Sequence, residues 1–311
     1  MLPEDTAKSY LTSWLARLRA IAPERYLLLV CLAVAIAAWA CAASMLPRPL
    51  EVTAFDVGKG DAFLIRSPSG RTVLIDGGSS SVPGVGAHVL APNLLLHHVR
   101  RLDAIILTHP DSDHVNGLAD VVAALPVGMI LDPELPSEGT EYRRLMELAR
   151  DKAIPCYRVR AGARINLSAH TTLQVLAPVD PLLSGTTSDS NNNSVVCLLQ
   201  YGQARMLFTG DLEHAGEEAL LARAPDLHAD VLKVAHHGSR NGSCAAFLDA
   251  VRPSLAVISC PGGEMSEHPH RETLARLRER QISIARTDVG GELRLTTWGN
   301  GWRITPFRRN H

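Results

Sequence analysis

Residues 102–117, LDAIILTHPDSDHVNG, place a short apolar run directly before a cluster of histidines and carboxylates. The run Ala104–Leu107 is short, rich in branched side chains and bounded by polar turn residues, which predicts a buried parallel strand. The loop that follows carries four candidate metal ligands within six positions: His109, Asp111, Asp113 and His114. A loop at the end of a strand can turn imidazole nitrogens and carboxylate oxygens inward together, as a metal ion requires.

Two interpretations of this loop are open. In the first, the loop supplies two adjacent metal ions, one through His109 and Asp111 and the other through Asp113 and His114. In the second, the loop is polar and solvated, and one aspartate caps a helix over residues 118–125. Capping needs a single carboxylate, so the full set of ligands favours the metal site.

The loop resembles the H-x-H-x-D-H signature of the metallo-β-lactamase superfamily, with Asp111 where most members have the second histidine. Together with the loop, five segments resemble, in chain order, the hydrolase domain of the ComEC family of DNA-uptake proteins: FDVGKGDAFLIRSPSGRTVLIDGG (55–78), NNNSVV (191–196), LFTGDLE (207–213), LKVAHHGS (232–239) and EHPH (267–270). The similarity covers about residues 50–300. Lys59, outside the ligand set, stands where that family usually has glutamine.

The resemblance implies a four-layer αβ/βα fold of the metallo-β-lactamase type. Periodicity alone supports a mixed α/β domain. Residues 51–58, 61–68 and 71–78 indicate a meander of three strands. Between residues 127 and 159 a strand, a helix and a second strand alternate, which favours parallel strands with helices outside.

The resemblance also implies roles at the ends of later strands. Asp211 takes the place of the aspartate that bridges both metal ions in phosphodiesterase-like members. His237 takes that of a second-site ligand, with His236 as the alternative because adjacent strand residues point to opposite faces and the register is open. The implied ligands are His109, Asp111, Asp113, His114, Asp211 and His237. The implied supporting residues are Asp76, His236, Asn193, Ser194 and Ser239.

Two of these supporting segments also have a plain structural interpretation. Asp76, expected beneath the metal ions, is followed by Gly77 and Gly78 and could simply be part of a turn. The loop of residues 188–194 stands where most members of the superfamily place a third-loop histidine, but here the nearest side chains are those of Asn191–Asn193 and Ser194, and the loop could simply be an asparagine-rich turn. An amide is a poor zinc ligand, so the first metal site is expected to lack one nitrogen donor.

Four residues are candidates for direct catalytic roles. Asp113 and Asp211 are expected to act through the metal ions. His268 and His270 flank Pro269 at a strand end, and one of them could protonate a leaving group or contact a phosphate oxygen. A purely structural role is the alternative for both histidines.

The amino-acid composition excludes fewer functions than the motifs do. The 31 basic and 32 acidic residues give no overall attraction to nucleic acid, so a polyanion would have to be held locally. The six cysteines include no C-x-x-C pair. They are interpreted as small buried apolar residues and not as zinc ligands or disulfide partners.

The N-terminal region predicts a membrane anchor. Residues 26–46 carry no charge over a length that crosses about 30 Å of hydrocarbon as a helix. We therefore predict a cytoplasmic segment (1–25), a transmembrane helix (26–46) and a hydrolase domain (50–311) outside the bacterial cytoplasmic membrane. A cleaved signal peptide is the alternative.

These expectations define one main function and two alternatives. The main one is a hydrolase that uses two divalent ions, Zn²⁺ or Mn²⁺, and acts as a phosphodiesterase or nuclease on DNA, in a ComEC-like role in DNA uptake. The multi-helix channel of that family is not recognised here, so the expectation is either a stand-alone hydrolase or a companion to a separate channel protein. The alternatives are a hydrolase of another ester, such as a cell-wall phosphorylcholine ester, and a non-catalytic, membrane-anchored module that binds DNA or a channel.

Overall fold

The computed structural model describes residues 23–223, 226–262 and 267–307. The chain divides into two compact units, Met1–Pro47 and Arg48–His311. The first unit contains helix α1, Pro23–Met45. Among the described residues no helix combines the length and the apolar character that crossing a membrane demands. The structure therefore does not support the transmembrane helix predicted over residues 26–46, and residues 1–22 of the predicted cytoplasmic segment lie outside the described residues.

The second unit alternates short strands and helices. Its strands are β1 Leu50–Ala54, β2 Phe63–Arg66, β3 Thr72–Ile75, β4 Ala104–Ile106, β5 Ile130–Asp132, β6 Cys156–Arg158, β7 Arg164–Ser168, β8 Thr171–Ala177, β9 Val196–Tyr201, β10 Ala204–Phe208, β11 Val231–Lys233, β12 Leu255–Ile258, β13 Ser283–Arg286, β14 Glu292–Thr297 and β15 Arg303–Phe307. Its helices are α2 Ala91–Leu96, α3 Ser112–Val115, α4 Leu118–Ala124, α5 Thr140–Asp151, α6 Asp189–Asn192, α7 His214–Arg223, α8 Ala245–Val251, α9 Arg271–Glu279 and α10 Thr287–Gly290.

These strands form two sheets. The first has the order β15-β14-β1-β2-β3-β4-β5-β6 and the second the order β13-β12-β11-β10-β9-β8-β7. The predicted meander is confirmed as the antiparallel set β1-β2-β3. The predicted parallel segment is confirmed as β3-β4-β5-β6, and β10 to β13 form its parallel counterpart in the second sheet.

Three buried apolar clusters define the layers. The first joins the facing surfaces of the two sheets, and the rings of Phe63 on β2 and Phe208 on β10 meet edge to face there with centroids 5.6 Å apart. The second lies between the first sheet and α4 and α5, and the third between the second sheet and α7, α8 and α9. The domain is thus an α/β fold of two sheets with helices packed on their outer sides.

The cysteines follow the prediction only in part. Cys197 and Cys260 are buried, as expected for small apolar side chains, but Cys31 and Cys156 are exposed. Cys156 is exposed because β6 is an edge strand whose side chains all face solvent. The thiols of all four are free.

A glycine brings the two sheets together at one edge. Gly210 follows β10 with φ +53°, and a Cβ there would lie 2.9 Å from Ser194 and 3.0 Å from Thr108. Thr108 follows β4 of the first sheet, and its carbonyl accepts a hydrogen bond from Val195 of the second sheet at 2.9 Å. The carboxyl ends of β3, β4, β10, β11 and β12 therefore meet, which is where parallel sheets commonly place their functional side chains.

Candidate metal centre

Three buried imidazoles form the centre of this edge. The ring centroids of His109 and His114 lie 4.1 Å apart, and those of His114 and His237 lie 5.5 Å apart. The Nε2 atoms of all three rings are buried and make no hydrogen bond. A buried nitrogen without a partner carries a cost of about 1–3 kcal/mol, so three together indicate a place that suits a metal ion.

The other nitrogen of each ring fixes which atom faces the centre. His114 Nδ1 donates to Asp76 Oδ2 at 2.8 Å, and His237 Nδ1 donates to the carbonyl of Ser259 at 3.2 Å. His109 Nδ1 lies 3.0 Å from Thr108 Oγ1, whose proton goes to Asp76 Oδ2, so this Nδ1 is the donor. With Nδ1 protonated, each Nε2 presents a lone pair, as in metal-bound histidines.

Asp76 holds the ligand loop through hydrogen bonds. Besides the bond to His114, its Oδ1 accepts the backbone N–H of Thr108 at 2.8 Å and its Oδ2 accepts the Thr108 hydroxyl at 2.7 Å. Its backbone is left-handed, with φ 57°. Asp76 is only 1% exposed, so it holds a ring and a loop in place and is more than a turn residue.

Two carboxylates complete the inner cluster. Asp211 Oδ2 lies 3.2 Å from His114 Nε2 and 3.5 Å from His237 Nε2, while Asp113 Oδ2 lies 3.5 Å from His237 Nε2. Among the groups of side chains whose ligand atoms all lie within 4.8 Å of one another, two combine these imidazoles with Asp211 or Asp113: His109, His114 and Asp211, and Asp113, His114 and His237. The histidine and carboxylate donors suit divalent metal ions, so the residues present fit metal binding here. The two sets share His114 and neither includes Asp111, so they do not reproduce the predicted division of His109 with Asp111 and Asp113 with His114.

Burial and neighbouring charges set the protonation of the cluster. Burial and the nearby His114 lower the pKa of His109 to about 3. Burial opposes charge on His114 and Asp211 as well, but their mutual attraction raises the pKa of His114 and lowers that of Asp211. Burial likewise raises the pKa of Asp113, yet the neighbouring imidazoles of His237 and His114 overcome it and hold that pKa below its usual range. Protons and metal ions therefore compete for His114.

The backbone at His236 and His237 is not the strand that the sequence predicted. Strand β11 ends at Lys233, and both histidines lie in a 3₁₀ turn, residues 235–238, with φ 48° and 53°. Left-handed backbone here replaces the alternation of a strand, so both rings face Asp211. His237 is fully buried, whereas His236 Nε2 lies 3.7 Å from Asp211 Oδ2 on the open side and its Nδ1 lies 3.2 Å from Glu213.

The polar loop before β9 brings only one of its two predicted residues to the centre. Ser194 is at the centre: its Oγ lies 3.4 Å from His109 Nδ1 and accepts the backbone N–H of Asp211 at 3.2 Å. Asn193 points away, because its amide bonds to the backbone of Leu183 and Asp189.

Two neighbours of Asn193 face the centre in its place. Asn191 lies 3.5 Å from His236 and has a buried Oδ1 without a partner. Ser190 donates to Asp111 Oδ1 at 2.7 Å. Asp111 is partly exposed, with Oδ2 3.7 Å from His109 Nε2.

The two histidines of the EHPH segment separate. The ring of His268 stacks on His236 with centroids 5.6 Å apart, and burial together with His236 and His237 lowers its pKa to about 4. A neutral ring is a poor proton donor at pH 7. His270 instead caps α9, its Nδ1 accepting from the N–H of Glu272 at 3.4 Å.

Ser239 stabilises the turn beside the histidine pair. Its backbone N–H bonds to the His236 carbonyl at 2.7 Å, and its own carbonyl accepts the Thr273 hydroxyl at 2.8 Å. Among the described residues neither Ser239 nor His270 contacts the inner cluster through its side chain. Both therefore support the loops that carry the ligands.

Two charged residues beneath the centre were not predicted. Lys233, the last residue of β11, is 1% exposed, and its ammonium contacts Asp61 Oδ2 and lies 3.4 Å from Asp211 Oδ1. Asp61 is also 1% exposed, with Oδ1 3.6 Å from His237 Nδ1. The available signal was a lone lysine in the otherwise apolar run VLKVA (231–235), which has to be paired if it is buried.

The two-sheet fold and the histidine–carboxylate cluster together define an α/β protein with a candidate centre for divalent metal ions. The family model described as the metallo-beta-lactamase superfamily matches residues 55–262. The chain therefore belongs to the metallo-β-lactamase superfamily, whose members are typically metal-dependent hydrolases.

Curated relatives support a narrower resemblance. The chain is 31% identical over 264 residues to ComE operon protein 3 of Bacillus subtilis (strain 168), covering 78% of this chain and 32% of that protein. It is 32% identical over 260 residues to Competence protein ComA of Neisseria gonorrhoeae, covering 83% and 34%. The predicted similarity to the ComEC family is thus confirmed, and the chain spans about a third of the length of these relatives.

Among solved structures, the fold is similar to that of CmlA, a diiron beta-hydroxylase from Streptomyces venezuelae. The TM-score is 0.51 at 16% identity, covering 81% of this chain and 55% of that one. At this identity the similarity concerns the fold alone.

Proposed function

We propose that this protein is a two-metal phosphodiesterase, most specifically a nuclease that acts on DNA in a ComEC-like uptake process. The observation that carries the proposal is the convergence of three buried, unpaired Nε2 atoms, those of His109, His114 and His237, beside the carboxylate of Asp211. The role in DNA uptake is supported by the relatives, one of which is named a competence protein.

Charge supports two ions over one. Five carboxylates have an oxygen within 4 Å of a nitrogen of His109, His114 or His237: Asp61, Asp76, Asp111, Asp113 and Asp211. Lys233 supplies one positive charge. With the carboxylates ionised and the histidines neutral, four negative charges are left, which two divalent cations balance.

The donor set also bears on the metal and the substrate. When bound, a pair of divalent ions would polarise a phosphoryl group and lower the pKa of a bound water. Asp111 in place of a histidine makes the first site harder, so that it accepts Mn²⁺ as well as Zn²⁺. Asp113 and Asp211 supply anionic ligands, and the neutral His268 ring beside His236 is placed to contact substrate at the open side.

The test uses the full chain, stripped of metal and reloaded with Mn²⁺ or Zn²⁺. Its substrates are single-stranded DNA, double-stranded DNA and bis(p-nitrophenyl) phosphate. Asp211→Asn is expected to abolish cleavage, whereas Asp249→Asn, an exposed aspartate paired with Arg280, is expected to leave it unchanged.

Each outcome has a distinct meaning. Metal-dependent DNA cleavage that is lost only in Asp211→Asn supports the nuclease. Cleavage of the small diester without cleavage of DNA moves the substrate to another phosphoester, such as a cell-wall phosphorylcholine ester. Tight binding of two metal ions with no cleavage of any substrate favours a non-catalytic module that binds DNA or a channel.

Location and partnership form a separate part of the proposal. We also propose that the hydrolase acts on the outer side of a bacterial cytoplasmic membrane, beside a DNA-uptake channel, because one of its curated relatives is named a competence protein. Fractionation of cells that produce the tagged full chain, with protease added to intact spheroplasts, measures this. A protected chain in the cytosolic fraction contradicts it.

A further inference from the structure

The buried lysine beneath the candidate metal centre has three acceptors. Lys233 Nζ donates to the Gly210 carbonyl at 2.7 Å, lies 3.4 Å from Asp211 Oδ1 and contacts Asp61 Oδ2. An ammonium has three donors, so these contacts satisfy it completely. The lysine is therefore fixed in orientation by the backbone of one neighbouring loop and by two carboxylates.

The contacts of Asp211 divide between its two oxygens. Oδ1 faces Lys233, while Oδ2 faces the imidazoles, 3.2 Å from His114, 3.5 Å from His237 and 3.7 Å from His236. The backbone N–H of Asp211 is held by Ser194. With the backbone anchored on one side, the contact to the lysine selects the rotation of the carboxylate.

Asp61 is the counter-charge that permits this arrangement. It ends the tight loop Gly58–Asp61, where a Cβ on Gly60 would lie 2.2 Å from the Gly78 carbonyl and 2.6 Å from that of Asp113. The loop thus passes beneath the ligand loop and delivers a buried carboxylate to Lys233. A buried lysine without such a partner would be strongly destabilising.

We propose that Lys233 is a positioning residue that turns Oδ1 of Asp211 away from the histidines, so that Oδ2 alone is offered to both metal ions. The inference rests on the proposed two-metal site. It assigns Asp61 to neutralising the lysine and not to binding metal.

The two members of the buried pair provide matched variants. Lys233→Met and Asp61→Asn break the same ion pair, but only Lys233→Met removes the contact to Asp211. Charge alone predicts that losing the ammonium tightens cation binding and that losing a carboxylate weakens it. A positioning role for Lys233 predicts instead that Lys233→Met weakens cation binding, and weakens it more than Asp61→Asn does.

The readout is Mn²⁺ binding to the full chain by titration, with electron paramagnetic resonance to detect the coupled signal of two bridged Mn²⁺ ions. For Lys233→Met we expect affinity for the second ion to fall by about 10–100-fold, the range for residues that orient metal ligands, and the coupled signal to disappear. Asp61→Asn is expected to lose less than 10-fold and to keep the signal. Lys152→Met, an exposed lysine bound to the carbonyls of Val122 and Ala123, is the control and is expected to match wild type.

Two results overturn the inference: tighter Mn²⁺ binding by Lys233→Met, or equal losses in both members of the pair. If Lys233→Met does not fold, the double variant Lys233→Met/Asp61→Asn, which removes both buried charges, decides the question. Loss of the coupled signal there supports positioning, and wild-type binding refutes it. This experiment uses no DNA, so it does not depend on whether the protein is a nuclease. Wild type must itself bind two ions, so a failure of the proposed two-metal site is seen in wild type and not only in the variants.

Discussion

Replacing Asp76 with asparagine tests how the candidate centre selects the metal-facing nitrogen of His114. Asp76 Oδ2 accepts the proton of His114 Nδ1 at 2.8 Å and that of the Thr108 hydroxyl at 2.7 Å. Asparagine keeps the volume and tolerates the left-handed φ of 57° found here. With Oδ1 still accepting the Thr108 N–H, the new NH₂ group faces His114 Nδ1. That nitrogen must then become an acceptor, which moves the ring proton to Nε2.

The magnitude follows from that tautomer change. A protonated Nε2 cannot bind a metal ion, and losing such an orienting partner lowers metal affinity by about 10–100-fold. This equals about 1.4–2.8 kcal/mol. The lost charge-assisted hydrogen bond should also lower the free energy of unfolding by about 1.5–3 kcal/mol. Competition with a chelator at pH 7.5 measures the affinity, and urea unfolding of the metal-free protein measures the stability.

Asp132→Asn is the matched control. Asp132 is 1% exposed, ends the neighbouring strand β5 and accepts from Tyr142 Oη at 2.5 Å and the N–H of Glu134 at 3.0 Å. It should lose comparable stability but no metal affinity. Wild-type affinity in Asp76→Asn, or an equal loss of affinity in both variants, would refute the tautomer argument.

Three further outcomes are expected. In the presence of a chelator, the free energy of unfolding of wild type should fall by about 2 kcal/mol more between pH 7 and pH 5 than that of His109→Asn. The reason is that His109 takes up a proton near pH 6.5 in the unfolded chain, whereas its pKa in the folded protein is about 3. Urea unfolding at the two pH values measures the difference, and an equal fall in both proteins contradicts the burial of a neutral ring. In His268→Gln, kcat/KM should fall by less than the roughly 100-fold expected on losing a general acid, and the pH profile should not move. His270→Ala should lower the melting temperature while kcat/KM stays nearly unchanged. Adding metal at about 100 times its Kd should raise stability by about 2.7 kcal/mol, measured as a shift in melting temperature that is small or absent in Asp211→Asn.

The sequence was most informative where contacts are local. Residues 109–114 come directly after β4, in a short loop that leads into α3, so their spacing alone places imidazoles and carboxylates together. The strand before them and the alternation of strands and helices that follows were recognisable from short apolar runs and turn residues. The pairing of β3 to β6 in parallel follows from that alternation, since helical crossovers connect parallel strands.

Other features depend on geometry that no short stretch encodes. Asn193 and Asn191 are two positions apart, but the short helix α6 turns Asn191 toward His236 and Asn193 toward the backbone of Leu183. The histidine pair 236–237 was treated as part of a strand, although β11 ends at Lys233 and a left-handed turn follows. Local propensity does not predict left-handed backbone at non-glycine residues, which is costly and persists only where the surrounding structure enforces it.

The unpredicted lysine has a wider significance for the charge of the centre. Asp61 and Asp211 share the ammonium of Lys233, but among the described residues no lysine or arginine pairs with Asp76, Asp111 or Asp113. Burying the carboxylate of Asp76 without a lysine or arginine costs several kcal/mol, and hydrogen bonds from Thr108 and His114 offset only part of it. Asp111 is partly exposed, so its charge costs less. The fold therefore carries a surplus of negative charge next to three imidazole nitrogens that have no hydrogen-bond partner. Divalent cations would correct both defects at once, which is the strongest physical reason to regard metal binding as part of the stability of this domain as well as of its chemistry.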